Sequence, residues 1–309
     1  MTGARRGILL LFLLLALGAT AAWGVLRQPR PEFTDLLPNI EPILPEMVDI
    51  PAGPFKMGNP GGTPQELPVH EVELSAYAIG KYEVTNQEYQ RFVQATGHVP
   101  PVDPIFAEGK NYFGTLPTHP VVEISVTDAM AYCLWLSRRT GQNYHLPTEA
   151  QWEKAARGGL DQATYPWGEE RLENMARMNL TWSEGTVPVG SYPPNAFGLY
   201  DIVGNVNEII SDWYTENYYR KSPRRDPKGP SGFEAYVSLL SPVGRSRLKG
   251  RCHVVRGGSY RAPWDWHTKG PDGRLETPVQ PGAREYLYQA PYTHFDLGFR
   301  LARSTAPKA

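Results

Sequence analysis

From Gly158 to Val254, roughly 95 positions keep neither the 3.6-residue period of an amphipathic helix nor the two-residue period of a strand. A run this long argues against a helical bundle or a parallel sheet, whose connections are short. Buried aromatics, side-chain networks or bound ions have to order it. Glycine and proline number 30 each among 309 residues, which calls for many turns. The hydrophobic share of 41% still permits a packed core. With 31 basic and 32 acidic residues the chain lacks a broad positive field, so nucleic acid is excluded as a partner.

One uncharged apolar run, Gly7–Leu26, covers twenty residues. As a helix it spans a hydrocarbon core of about 30 Å. Arg5 and Arg6 precede it and set an N-in orientation. The run predicts one N-terminal transmembrane helix, an uncleaved signal anchor. The competing reading is a signal peptide cleaved after Ala19-Thr20-Ala21. Residues 1–6 are then a basic cytoplasmic N-terminus, and residues 7–26 have the lipid bilayer as partner. Residues 27–46, with Pro29, Pro31, Pro38, Pro42 and Pro45, form an extended periplasmic linker. Residues 47–305 form the exported domain, on the periplasmic side of the inner membrane, and residues 306–309 a short tail.

Within the domain, three helices announce themselves by their caps. Thr85 with Glu88, Ser125 with Asp128 and Thr148 with Gln151 have capping-box spacing, and Gly97, Gly141 and Gly158 supply the stops. Strands are expected at Met47–Ile50, Glu71–Leu74, Tyr77–Ile79, Val254–Arg256 and Gly298–Ala302. Cys133 lies on the inner stripe of the second helix and reads as a small apolar residue. A bridge between Cys133 and Cys252 stays open.

Seven ordered segments then spell a recognisable pattern. They are Met47–Gly58 (Met-Val-Asp-Ile-Pro-Ala-Gly-Pro-Phe-Lys-Met-Gly), Tyr82–Asn86 (Tyr-Glu-Val-Thr-Asn) and His119–Val122 (His-Pro-Val-Val). Leu146–Gly158 follows with Leu-Pro-Thr-Glu-Ala-Gln-Trp-Glu-Lys-Ala-Ala-Arg-Gly. Then come Pro188–Val206, Val255–Tyr260 (Val-Arg-Gly-Gly-Ser-Tyr) and Gly298–Ala302 (Gly-Phe-Arg-Leu-Ala). The chain resembles the formylglycine-generating enzyme, or sulfatase-modifying factor, family from Met47 to Arg303. The resemblance implies an α+β class: a single irregular, C-type-lectin-like domain with little regular secondary structure.

That family oxidises a substrate cysteine to formylglycine with copper held by two thiolates, and soft sulfur suits Cu(I). The resemblance puts those thiolates at Ala262 and His267, where no cysteine stands. No copper and no formylglycine-generating activity are therefore expected. A residual site is expected at His267, Asp265, Tyr260 and Arg261. The family's Trp-Glu-Trp is Asn207-Glu208-Ile209 here. The resemblance also implies calcium at Asp201, Gly204, Val206 and Glu208, which suits hard oxygen ligands on a glycine turn. A second calcium site would begin at Asn179 and Leu180.

From Arg220 to Arg251 nine basic residues face two acids. This basic insertion, about residues 220–251, reads as a solvated loop or as a docking surface. Arg220, Arg224, Arg225, Arg245 and Arg247, with Trp264 and Trp266, are the candidate partner-binding residues. The leading functional expectation is a membrane-anchored, non-catalytic accessory subunit of an integral membrane complex, respiratory or photosynthetic electron transfer being the plausible hosts. The alternative is a periplasmic maturation or tailoring enzyme of the same superfamily with a non-cysteine active site.

Overall fold

The capping boxes act as the sequence requires. In each, the Thr or Ser side chain accepts a backbone N–H three residues on, and that third residue's side chain accepts the cap's own N–H. Gly97, Gly141 and Gly158 all close their helices in the left-handed conformation. The computed structural model describes residues 39–170, 172–238, 252–262, 281, 283–288 and 292–305.

The elements begin with β1 (Met47–Ile50), β2 (Gly53–Met57), β3 (His70–Leu74) and β4 (Tyr77–Gly80). Next come α1 (Asn86–Thr96), α2 (Tyr112–Thr115), α3 (Val126–Thr140), β5 (Tyr144–His145) and α4 (Glu149–Arg157). After the irregular stretch follow β6 (Asn207–Trp213), α5 (Gly232–Ser238), β7 (Cys252–Arg256), β8 (Glu285–Tyr288), β9 (Leu297–Gly298) and β10 (Ala302–Ser304). One sheet has the order β1-β4-β10-β5, another β8-β7-β6-β9, and β2 pairs with β3 alone. Every pairing is antiparallel except β6 with β9.

Two expectations change. Gly298–Ala302 is not one strand. Phe299, Arg300 and Leu301 are buried in succession, which a half-exposed alternating strand cannot do. The chain crosses between sheets there: Gly298 pairs with Glu208 and Ala302 with Ile79. The second change is β6, which lies inside the stretch without period. Its inward positions include Glu208 and Asp212 beside Ile209 and Ile210, so charged residues mask the apolar pattern.

Two main cores result. Tyr89, Phe92, Tyr132, Trp135 and Phe299 pack between α1 and α3. Trp152, Ile79, Ile210, Tyr219 and Val254 pack where α4 meets the sheets. Cys133 belongs to the first and Cys252 to the second, and neither is in a disulfide. Burial pushes their thiols up to about 12 and about 11.

Buried ion pairs cross-link these parts. Arg256 reaches Glu153, which also takes Nη2 of Arg157 at 2.8 Å. Arg284 Nε donates to Glu149 Oε1 at 2.6 Å. Arg300 grips both oxygens of Glu208 at 2.6–2.8 Å, and Trp152 Nε1 donates to Glu208 at 2.7 Å. The anchor and the first part of the linker, within residues 1–38, and the tail at 306–309 lie outside the described residues. Residues 40–46 of the expected linker lie along the domain: Ile40 packs against the first core, Glu41 pairs with Arg139 at 2.7 Å and Glu46 with Lys81 at 2.9 Å. Among the described residues, no helix is long and apolar enough to cross a membrane.

Two measurements check this account. Arg300→Met leaves the Glu208 carboxylate buried and unpaired, at a cost of about 3–5 kcal/mol. Adding Glu208→Gln recovers part of that loss in urea unfolding. The second concerns Asp212, whose carboxyl is pushed up to about 7 by burial and then by nearby Glu149. The folded state therefore binds this proton more tightly than the unfolded state does. Stability from this group is present at low pH and is lost as pH rises from about 4 to about 7. Relative to wild type, Asp212→Asn gains about 2–3 kcal/mol between pH 5 and pH 8.

Candidate functional site

The turn after β7 is held from behind by Arg256, which is fully buried and lies 5.2 Å from the Trp152 ring. Gly257 then takes a φ of 91°, and a Cβ there would stand 3.3 Å from Trp152. The positive φ favours glycine, and the ring leaves little room for a side chain. Beyond it, Ser259, Tyr260, Arg261 and Ala262 are all buried. The backbone of Asn179 and Leu180 runs beside them, donating to the carbonyls of Ala262 at 3.0 Å and Tyr260 at 2.9 Å.

The turn faces Asp296, just before β9. Ser259 Oγ donates to Asp296 Oδ2 at 2.8 Å, and Arg261 Nη1 lies 3.6 Å from the same oxygen. His294 Nδ1 binds the other oxygen, Oδ1. Asp296 is 3% exposed and the His294 side chain 33%. Burial alone would raise the Asp296 carboxyl, but His294, Ser259 and Arg261 together hold it below its ordinary value. Burial pulls His294 down, and the Asp296 carboxylate more than reverses this, so the imidazole titrates above its ordinary value. Arg261 also lies over the Phe295 ring, 5.3 Å from its centre.

Of the residues expected at a residual site, Arg261 joins this cluster, while Tyr260 turns its hydroxyl to the Trp182 carbonyl at 3.0 Å. Asp265, His267, Trp264, Trp266, Arg245 and Arg247 lie outside the described residues. The sequence reading missed His294 and Asp296. Their signal was a His-x-Asp pair directly ahead of the Gly298 motif.

Ala262 is 1% exposed and packs among Tyr165, Ala176, Met178 and Val203. It offers no donor atom to a metal. Cys133 and Cys252 sit in separate cores with their thiols held protonated. The described residues do not fit a dithiolate copper centre.

The calcium ligand set fits only in part. Asp201 accepts from Gly190 N at 2.6 Å through Oδ2, while its buried Oδ1 has no partner. Burial pushes the Asp201 carboxyl up to about 6. Gly204 has φ 82°, and a Cβ would meet the Arg177 carbonyl at 2.4 Å. The expectation for Glu208 is corrected: Arg300 and Trp152 already saturate its carboxylate, so it presents no open oxygen. Nearby Glu83 is buried too, accepting from Asn205 Nδ2 at 2.6 Å and Val206 N at 3.2 Å. Its carboxyl is raised by burial and by the neighbouring carboxylates of Asp201 and Glu208.

The basic segment is also corrected. Arg224 pairs with Glu71, Arg225 with Glu73 at 3.1 Å, and Lys221 with Glu234 at 3.0 Å. Glu73 N donates to Arg224 O and Asp226 N to Glu73 O, which lays this segment along β3. Most of its described charge is thus compensated within the chain. The side chain of Arg220 makes no ion pair among the described residues.

Known proteins agree with this architecture. Residues 32–305 match the family described as sulfatase-modifying factor enzyme 1-like domain. The formylglycine-generating enzyme of Thermomonospora curvata is 36% identical over 267 residues, covering 67% of this chain and 86% of that protein. That of Mycobacterium tuberculosis is 33% identical over 275 residues, covering 69% and 88%. Among solved structures, PvdO from Pseudomonas aeruginosa superposes with a TM-score of 0.64 at 27% identity, covering 84% of this chain and 94% of that one. Treponema denticola variable protein 1 gives 0.62 at 25% identity, with the same coverage. The chain belongs to the sulfatase-modifying factor, or formylglycine-generating-enzyme-like, family.

Proposed function

We propose that this chain is an exported family member that acts without copper thiolates, as a periplasmic maturation or tailoring enzyme. The observation that carries the reading is the turn after β7. Ala262 fills an apolar pocket there, while Ser259, Arg261, Asp296 and His294 keep a charged site beside it. Burying such charges costs stability, so their presence beside Ala262 points to chemistry of another kind. Residues 7–26 anchor the protein in the inner membrane, N-in, with the domain in the periplasm. Calcium is the metal this reading keeps. Asp201 Oδ1 and the backbone oxygens of Gly204 and Val206 would hold it, where it supplies positive charge to a loop crowded with Asp201, Glu83 and Glu208.

A second reading is the non-catalytic accessory subunit docked on an integral electron-transfer complex. Its specific support is the outward face of α3. Met130 and Leu134 stand there one turn apart, 56% and 52% exposed.

Three experiments test these readings, and the second separates them. Supplied with Cu(I), the full chain leaves the cysteine of a sulfatase-derived peptide unmodified by mass spectrometry. Conversion to formylglycine would overturn the copper-free reading. Purified in mild detergent from native membranes, the protein travels without a stoichiometric partner, whereas co-purification with an integral complex selects the accessory reading. Saturating calcium raises the melting midpoint by several degrees, since about 2.7 kcal/mol is gained at a ligand concentration a hundred times Kd. An unchanged midpoint in calcium and in chelator removes the metal.

A further inference from the structure

We propose that the His294–Asp296 couple is the proton-accepting element of this site, serving a ligand that presents a weakly acidic hydroxyl or thiol to His294 Nε2. The proposal rests on the copper-free enzyme reading and names the group that would do its proton transfer.

The geometry leaves His294 one open nitrogen. Nδ1 is committed to Asp296 Oδ1, so the neutral ring carries its hydrogen on Nδ1 and its lone pair on Nε2. Nε2 makes no hydrogen bond among the described residues, and a third of the side chain meets solvent. The ring is fixed in place. It lies parallel to Tyr292 within 9°, and its centre is 4.3 Å from that of Phe295. Its carbonyl accepts from Glu123 N at 3.2 Å and Leu297 N at 3.1 Å.

The carboxylate behind it is fixed as well. Ser259 and Arg261 hold its second oxygen, and the Asp296 backbone carbonyl takes Asn207 N at 2.8 Å. Among the described residues, the charged groups acting on His294 are Asp296, Arg261 and Glu123. Glu123 is itself bound by Thr293 Oγ1 at 2.8 Å. The order of the cluster matters. Ser259 donates to the aspartate and not to the histidine, so this is no Ser-His-Asp nucleophile triad. Ser259 positions Asp296, and the ligand supplies the acidic hydrogen. In the transfer, the Nε2 lone pair takes the proton of the O–H or S–H bond. The ligand is left as its anion, and the imidazolium is balanced by Asp296.

His98 provides an internal control. It too meets an aspartate, Nε2 to Asp128 Oδ1 at 2.8 Å. Asp128 is spent on capping α3, however, and the partly exposed pair leaves Nδ1 as the outer nitrogen.

The test uses the full chain in detergent. Diethyl pyrocarbonate is titrated across pH with its products mapped to each histidine by mass spectrometry. His294 is expected to react about tenfold faster than His98, and Asp296→Asn is expected to move its pH midpoint down by about one unit, the tenfold effect of losing one close charge. Should Asp296→Asn not fold, the ranking of histidines in wild type still decides. Equal reactivity of His294 and His98, or a midpoint unmoved in folded Asp296→Asn, overturns the assignment. The second probe is 4-nitrophenol, added just above the ring's own pH midpoint, where most Nε2 atoms carry a lone pair. Wild type is expected to raise the phenolate absorbance, and His294→Gln, folded by circular dichroism, is expected to abolish the rise. A rise equal in both proteins, or none at millimolar probe, also overturns it. These outcomes are separate from the partner test above: a protein that co-purifies with a complex yet keeps a reactive His294 loses the enzyme reading alone.

Discussion

Glu153 holds the irregular half of this domain to the regular half. It projects from α4 into a space from which water is excluded, and it meets Arg157 from its own helix and Arg256 from the end of β7. It also accepts Gly58 N at 2.8 Å, tying in the loop after β2. A carboxylate in that position is tolerable only when every lone pair is met. Each donor comes from a different stretch of chain, so the helix, the first hairpin and the site-bearing turn are fixed together. Glu208 repeats the arrangement with Arg300 and Trp152. A chain with few long elements cannot rely on ridge-and-groove packing, and paired buried charges give its loops one defined arrangement.

These pairs explain which parts of the fold could be read from sequence. The three capped helices were legible because a cap is a local device, settled within four residues. β6 was not, because Glu208 and Asp212 look like solvent-facing residues until Arg300, 92 positions away, is known to meet Glu208. The break after Gly298 was hidden for the same reason. Arg300 turns fully inward, and no local pattern distinguishes a buried arginine from an exposed one.

The candidate site was legible only on one side. The Gly-Gly-Ser turn was marked by its motif, and Tyr260 and Arg261 follow from it. Its other wall comes from 37 residues later, where His294 and Asp296 precede the closing motif. Their meeting with Ser259 depends on the parallel pairing of β6 with β9, a long-range contact that single-sequence periodicity does not carry. The arginines near residue 224 show the reverse error. As sequence they form a basic patch, but β3 places Glu71 and Glu73 against them, and charge counted along a chain is not charge presented by a surface.

The way the fold tolerates a change of chemistry follows from these anchors. Arg256 and Gly257 set the path of the turn before position 262 is reached, and the Asn179–Leu180 backbone fixes it from the side. None of these contacts uses the side chain at 262. A metal-binding residue there can be exchanged for alanine and absorbed by Tyr165, Met178 and Val203 while the turn keeps its course. Asp296, held by its backbone to Asn207, stays opposite whatever the turn presents. The framework thus separates the groups that hold the site open from the groups that would react in it.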